Sequence, residues 1–186
     1  MRASRFHVIE TPRLVLKPVS AEDIDAIVPA IGNYDVARWL GRVPYPYRAA
    51  DAESFVAGNA DKAGRVWFIH DASGLVGGIS VDNELGYWLR REVWGKGYAT
   101  EAAIPAIDAH FADRAAGDLV AGHYPGNDRS RRVLEKLGFR RAGTRLVAAR
   151  ALAQQIESQD YRLTRPDWQA RREDLSGVSR SATAGR

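Results

Sequence analysis

The chain contains no cysteine among its 186 residues. That excludes disulfides, thiolate metal ligands and a cysteine acyl-enzyme, so any acyl transfer must use another nucleophile or go straight to the acceptor. No metal is expected. Long apolar runs are missing too, and none approaches the length of a membrane span. The opening residues, Met1-Arg2-Ala3-Ser4-Arg5-Phe6-His7, lack the apolar core of a secretory signal. These absences predict a cytoplasmic protein with no membrane partner. Internal repeats are absent, and no linker-like stretch divides the middle of the chain. The predicted organisation is an extension over residues 1–9, one domain over 10–170, and a disordered tail over 171–186, rich in Ser, Arg, Gly and Ala.

What is present is ordinary for a globular domain. Hydrophobic residues make up 45% and charged residues 27%, and the length suits one domain with a full core. The net charge is +4 and the pI about 9.6. A basic balance suits nucleic acid or an acidic small molecule and does not choose between them.

The chain is organised around Glu84 to Ala103. Leu85, Tyr87 and Leu89 alternate with Gly86 and Trp88, the period of a strand. Gly95 and Gly97 punctuate the chain. From Tyr98 the composition turns helical, and the pattern predicts a helix to Ala115 with Ile104, Ile107 and Phe111 as its apolar stripe. A helix start has N–H groups without intrahelical partners and the positive end of the helix dipole. Glycines before it let backbone approach a ligand. The stretch reads as a phosphate cradle or as a plain strand–helix turn with glycines for geometry. It is neither of the common nucleotide motifs. A P-loop needs glycine where Arg90 stands and a hydroxyl residue where Gly97 stands. A dinucleotide fingerprint needs Gly or Ala where Thr100 stands.

Around this centre the pattern predicts a strand at 13–18, then a helix capped by Ser20 with Ile24, Ile27 and Val28 inward. A short helix over 35–40 precedes the rigid loop Val43-Pro44-Tyr45-Pro46-Tyr47. A helix over 49–63 leads to strands at 65–70 and 75–81, joined by a turn at Asp71–Gly74. Pro105 removes one hydrogen bond from the long helix. A strand at 118–124 follows a long crossover and is expected to lie parallel to the central strand. Asn127 caps a helix over 128–137 that Gly138 stops. Strands at 139–150 and 159–164 complete the pattern, with 148–155 unassigned.

Two blocks carry a resemblance. Trp94-Gly95-Lys96-Gly97-Tyr98-Ala99-Thr100-Glu101-Ala102, preceded by Gly86-Tyr87-Trp88-Leu89, resembles the acetyl-CoA signature of GNAT N-acetyltransferases. Pro125 to Phe139, with Asn127, Ser130, Leu134, Gly138 and Phe139, is similar to the second GNAT block. Together with Thr11-Pro12-Arg13-Leu14 they resemble the RimJ/RimL branch, which acetylates protein N-terminal amines and small amines. The resemblance spans residues 10–168. It implies an α/β (α+β) fold: a mixed, mostly antiparallel central sheet of about six to seven strands with flanking helices. That sheet is splayed between the central strand and the next, parallel strand. It also implies acetyl-CoA as acyl donor, a primary amine of a protein N-terminus or small molecule as acceptor, and a ternary-complex mechanism. Nucleic acid is not expected as a partner, and the state is a monomer or homodimer.

The resemblance assigns residues as follows. Backbone N–H groups from Gly95, Lys96, Gly97, Tyr98, Ala99 and Thr100 face the pyrophosphate, with Lys96 adding charge. Trp94 stands where many members carry Arg or Gln, which leaves the backbone cradle intact. Trp88, Leu89 and Arg90 end the central strand, where free N–H groups hold the pantetheine and the oxyanion. Asn127 and Ser130 lie beside the pantetheine arm. Many members have a proton-donating tyrosine where Leu134 stands. Here Ser130 either hydrogen-bonds the leaving thiolate or only orders the cofactor arm. Glu84 is the first candidate for the base, as a carboxylate raised by burial, and His123 is the second; a water chain can replace either. Trp39, Tyr45 and Tyr47 line the acceptor pocket. Two other readings stay open: a non-catalytic acyl-CoA-binding regulatory module, and a nucleic-acid-binding module built on Arg129 to Arg141.

Overall fold

The computed structural model describes residues 8–82 and 84–183, with side chains as far as residue 175. The chain enters as β1 (Ile9–Glu10), reverses where the Thr11 N–H donates to the Leu14 carbonyl at 2.9 Å, and returns as β2 (Val15–Pro18). Ser20 caps a single 3-10 turn by accepting from the Glu22 N–H at 3.2 Å, and α1 (Ile24–Ile31) follows. Asn33 caps α2 (Tyr34–Ala37). The helix expected over 49–63 is α3 (Ala49–Ala57), shortened because Gly58 closes it with its N–H on the Ser54 carbonyl.

Three antiparallel strands then run in succession: β3 (Val66–Asp71), β4 (Gly74–Val81) and β5 (Leu85–Leu89). Next come α4 (Tyr98–Ala112), β6 (Leu119–His123) and α5 (Asp128–Lys136). α4 continues as one helix across Pro105. The chain closes with β7 (Arg140–Ala149), β8 (Gln154–Leu163) and α6 (Arg165–Thr183). α6 passes residue 171, where the sequence placed the start of a disordered tail; residues 184–186 and 1–7 lie outside the described residues.

The strands form two sheets, one in the order β1-β2-β3-β4-β5 and one in the order β6-β8-β7. Among the described residues one parallel bridge, Glu84 to Val120, links them. The expected splay between the central strand and its parallel neighbour is thus a near-complete separation. Among the described residues the strands number eight rather than six to seven, because the short β1 joins the edge. The unassigned segment 148–155 is the tip of the β7–β8 hairpin, where Ala149 pairs with Gln154 across a 3-10 turn.

Two cores flank the larger sheet. β3 is buried on both faces, and its side chains alternate as the pleat requires. Trp67 and Ile69 face α4 with its close-packed Ala102, Ala103, Ala106 and Ile107. Phe68 faces the other way, against Ile27, Ile31, Tyr47 and Ala52. The small side chains of α4 let it lie directly on the sheet, which fixes where its N-terminus points. Among the described residues, no helix is long and apolar enough to cross a membrane.

Candidate active site

The turn before α4 is built for an anion. Gly95 and Gly97 have φ of 78° and 82°, a left-handed backbone that other L-residues adopt only at a cost of about 1–2 kcal/mol. Gly97 is the N-cap of α4 and no side chain caps the helix, so the first-turn N–H groups have no intrahelical acceptor. Gly95, Lys96 and Gly97 are exposed. A polyphosphate fits this ring of donors and its charged Lys96.

Side chains from distant parts of the chain brace the turn. Arg13 donates from Nη1 to the Lys96 carbonyl at 2.9 Å and from Nε to Glu101 at 2.7 Å, and its guanidinium lies 4.8 Å over the Tyr98 ring. Thr11 donates to the same Glu101 carboxylate at 2.7 Å. The Tyr98 hydroxyl donates to Asp71 in the β3–β4 turn at 3.3 Å. Burial would raise the Glu101 carboxyl, but the hydrogen bonds from Thr11 and Arg13 outweigh it and hold the group below its ordinary value. The sequence offers Thr11 and Arg13 only as part of a motif; their contact with residue 101 has no local signal.

The end of β5 opens beside this turn. The Arg90 N–H donates to the Val76 carbonyl at 2.8 Å. In an antiparallel pair the bonded residues alternate, so Trp88 and Gly86 also point their N–H groups at β4. The N–H groups of Tyr87 and Leu89 therefore face the gap toward β6. This corrects the expected donor set: Trp88 and Arg90 belong to the sheet, and Leu89 and Tyr87 supply the gap. The Trp88 ring lies over Gly78 on the face shared with Tyr47. The Arg90 side chain donates to the Leu75 carbonyl at 3.3 Å, again away from the gap. Trp94 ties turn to strand, since its indole N–H donates to the Leu89 carbonyl at 2.9 Å, while Arg129 of α5 lies 4.8 Å over its ring.

Helix α5 faces the gap from the other sheet. Asn127 caps it by accepting from the Ser130 N–H at 3.2 Å. The Ser130 hydroxyl is 3.0 Å from the hydroxyl of Tyr87. Burial pushes the Tyr87 phenol up to about 12, so it stays protonated through the neutral range. The partner of Ser130 is Tyr87, which the sequence offers as a strand residue within the acetyl-CoA block but with no role for its hydroxyl. Leu134, one turn further on, is 1% exposed and offers no proton.

The candidate bases sit differently from what was expected. The Glu84 side chain is 37% exposed and paired with Arg145 at 3.0 Å, so the burial that was to activate it is missing. It stands at the closed end of the gap, where the two sheets still touch. His123 is buried, with Nδ1 2.9 Å from the Tyr124 carbonyl. A carbonyl only accepts, so Nδ1 carries the proton, and Nε2 faces the Tyr161 hydroxyl at 3.5 Å.

Of the acceptor-pocket residues, Tyr47 is in the second core at 8% exposure. Its phenol is pushed up to about 12 by burial and by Asp51. Tyr45 is exposed and meets Tyr34 edge-on at 5.0 Å. Trp39 packs under the Arg38 guanidinium and beside Gly126, at the turn that leads into α5. The hairpin tip closes over this region, with the Arg150 N–H on the Gly41 carbonyl at 3.1 Å. Trp39 thus lies at the β6–α5 turn, Tyr45 stands against Tyr34, and Tyr47 belongs to the second core. Part of the basic run is internally paired. Arg131 pairs with Asp128 and Glu135, Arg140 with Asp167, and Arg141 donates to Gln159.

Known proteins resemble this chain in sequence and fold. The acetyltransferase (GNAT) domain family matches residues 13–140. The "uncharacterized N-acetyltransferase YoaA" of Bacillus subtilis is 27% identical over 151 residues, covering 74% of this chain and 85% of that protein. The "uncharacterized N-acetyltransferase p20" of Bacillus licheniformis is 26% identical over the same shares. Among solved structures, an acetyltransferase (GNAT family) from Bacillus anthracis superposes with a TM-score of 0.71 at 23% identity, over 85% of this chain and 98% of that one. Mycobacterium smegmatis RimJ in complex with CoA-disulfide superposes with a TM-score of 0.68 at 21% identity, over 83% of each chain.

Proposed function

From the membership of this chain in the GNAT family, which makes it an acetyltransferase, we propose that it moves an acetyl group from acetyl-CoA directly to a primary amine. The acceptor is a protein N-terminus or a small molecule, as in the RimJ/RimL-like branch. The observation that carries this reading is one juxtaposition: the uncapped N-terminus of α4 beside the gap into which Leu89, Tyr87 and Ser130 project polar groups. The CoA-disulfide complex of the RimJ neighbour supports the same ligand class.

Each part has a role. The pyrophosphate lies on the Gly95–Thr100 turn, with Lys96 near it. The N–H groups of Leu89 and Tyr87 point into the gap, where the thioester oxygen gains negative charge as the amine attacks. Such donors act without reorganising, because β5 and Trp94 hold them. Ser130 hydrogen-bonds the departing sulfur. With no cysteine in the chain, the acyl group passes to the amine without a thioester on the protein. Glu84 lies about 10 Å along β5 from Tyr87, so the amine proton reaches it through water.

The test is calorimetry with Gly97→Glu. The substitution puts a side chain and a negative charge where the pyrophosphate approaches, and acetyl-CoA affinity is expected to fall at least about 100-fold. A folded variant that binds as tightly as wild type removes the site assignment. One observation favours a second reading, the non-catalytic acyl-CoA-binding module: Leu134 and the ion-paired Glu84 leave both proton-transfer roles to small or distant groups. Thiol release measured against a panel of protein N-termini, polyamines and amino acids separates the two, since a binding module releases none.

A further inference from the structure

The hydroxyl of Tyr87 is not needed to fill space. Its strand neighbours on the same face, Leu85 and Leu89, are purely apolar and lie in the same core. A phenylalanine would pack there equally well, and burying a hydroxyl costs free energy unless it finds a partner. The partner it has is Ser130 Oγ at 3.0 Å, on the opposite sheet's helix. Among the described residues, Ser130 Oγ has no other hydrogen-bond partner.

The direction of that bond follows from acidity. A phenol is a far better acid than an aliphatic alcohol, so in a phenol–serine pair the phenol donates and the serine oxygen accepts. The serine then has its own O–H left to give. The backbone geometry limits where it goes, because the Ser130 N–H is already held by Asn127 and the side chain is fixed on the first turn of α5. Donation into an O–H group also strengthens that group's onward hydrogen bond.

We infer that Tyr87 is a positioning residue for Ser130: the phenol O–H fixes the serine oxygen and turns the serine O–H toward the coenzyme A sulfur. No proton leaves Tyr87. Its function is to set and polarise the hydrogen bond that meets the thiolate as the carbon–sulfur bond breaks. The inference rests on the Ser130 role given under the proposed function. The high phenol value supports it, since the donor stays protonated wherever the enzyme works.

Tyr87→Phe and Ser130→Ala, singly and together, test it by steady-state kinetics beside direct acetyl-CoA binding. Ser130→Ala is expected to lower kcat and kcat/KM by about 10–100-fold with acetyl-CoA Kd little changed. Tyr87→Phe is expected to lower both by about 3–10-fold, the weight of one hydrogen bond, with Kd within about two-fold. The double variant is expected to match Ser130→Ala alone, because the tyrosine acts only through the serine. A merely structural tyrosine gives additive losses or a weakened Kd, and either result overturns the inference, as does unaltered kcat in Tyr87→Phe beside a slow Ser130→Ala. An unaltered kcat in Ser130→Ala itself removes the serine's chemical role, and the inference with it.

Discussion

Trp94 joins the cofactor turn to two other parts of the site through one ring. Its N–H holds the Leu89 carbonyl and its face carries Arg129, so the turn, the end of β5 and the start of α5 move together. A residue that stands in place of a polar side chain is thus a mechanical tie. Trp94→Phe keeps an aromatic face and removes the N–H. It is expected to weaken acetyl-CoA binding about 3–10-fold, the equivalent of one hydrogen bond, with the fold intact. Isothermal titration of the variant checks this; affinity equal to wild type would sink the tie. At this scale the sequence is legible where chemistry is local. Gly95, Gly97 and the Asn127 cap are read correctly because turn and cap geometry involve neighbours in the chain. Tyr87 is missed because its hydroxyl meets Ser130 across 43 residues and a gap between sheets, which no spacing announces. The exposure and ion pairing of Glu84 escape the sequence for the same reason: its neighbour Arg145 comes from the far hairpin.

The element that sets the site is α4, and its N-terminus is held from outside the central unit. Glu101 in its first turn receives Thr11 and Arg13 from the β1–β2 reversal, 90 and 88 residues away in sequence. The carboxylate is 15% exposed and the guanidinium 49%, so solvent screens the pair only in part. Glu101→Gln keeps the shape and removes the charge. It is expected to cost about 1–2 kcal/mol, seen as a Tm lower by about 2–8 °C, and to weaken acetyl-CoA binding because the Lys96 carbonyl loses its anchor's fixed position. The pH dependence has a defined sign. The folded Glu101 carboxyl lies below its ordinary 4.5. Its contribution is therefore complete above that value and is lost as the pH falls through the lower, folded value. The Tm difference between wild type and Glu101→Gln should stay constant from neutrality down to about pH 5 and shrink below that. A difference that grows on acidification would contradict the assignment. Element boundaries were legible where a cap or stop residue marks them, as at Asn127, and less so where helix and loop share composition, as in residues 58–63.

At the scale of the whole molecule, the fold is a way to hold two sheets together at one end and apart at the other. The succession of three strands, crossover helix and parallel return was legible from periodicity and the length of the crossover. How far the sheets part was not, because it depends on which carbonyls the neighbouring strand supplies. β5 gives its even-numbered residues to β4; among the described residues the one bridge to β6 is Glu84–Val120, just before β5, and β6 gives its other edge to β8. The result is a strand with one bonded edge and one open edge inside the protein. Unpaired buried N–H groups are rare and unfavourable unless something completes them. Under the proposed function the completing group is the acyl donor. Amide exchange read residue by residue by NMR makes this concrete. In the free protein, Gly86 and Trp88 should be well protected through their bonds to β4, while Tyr87 and Leu89, which alternate with them along the strand, exchange faster. Saturating acetyl-CoA should slow Leu89 and Tyr87 by at least about 10-fold, the weight of one new hydrogen bond, and leave Gly86 and Trp88 nearly unchanged. If all four amides are equally protected without ligand, β5 has no open edge. If the ligand protects the cradle amides at Gly97 to Thr100 and not Leu89, the acyl group lies outside the gap and the oxyanion must be met elsewhere.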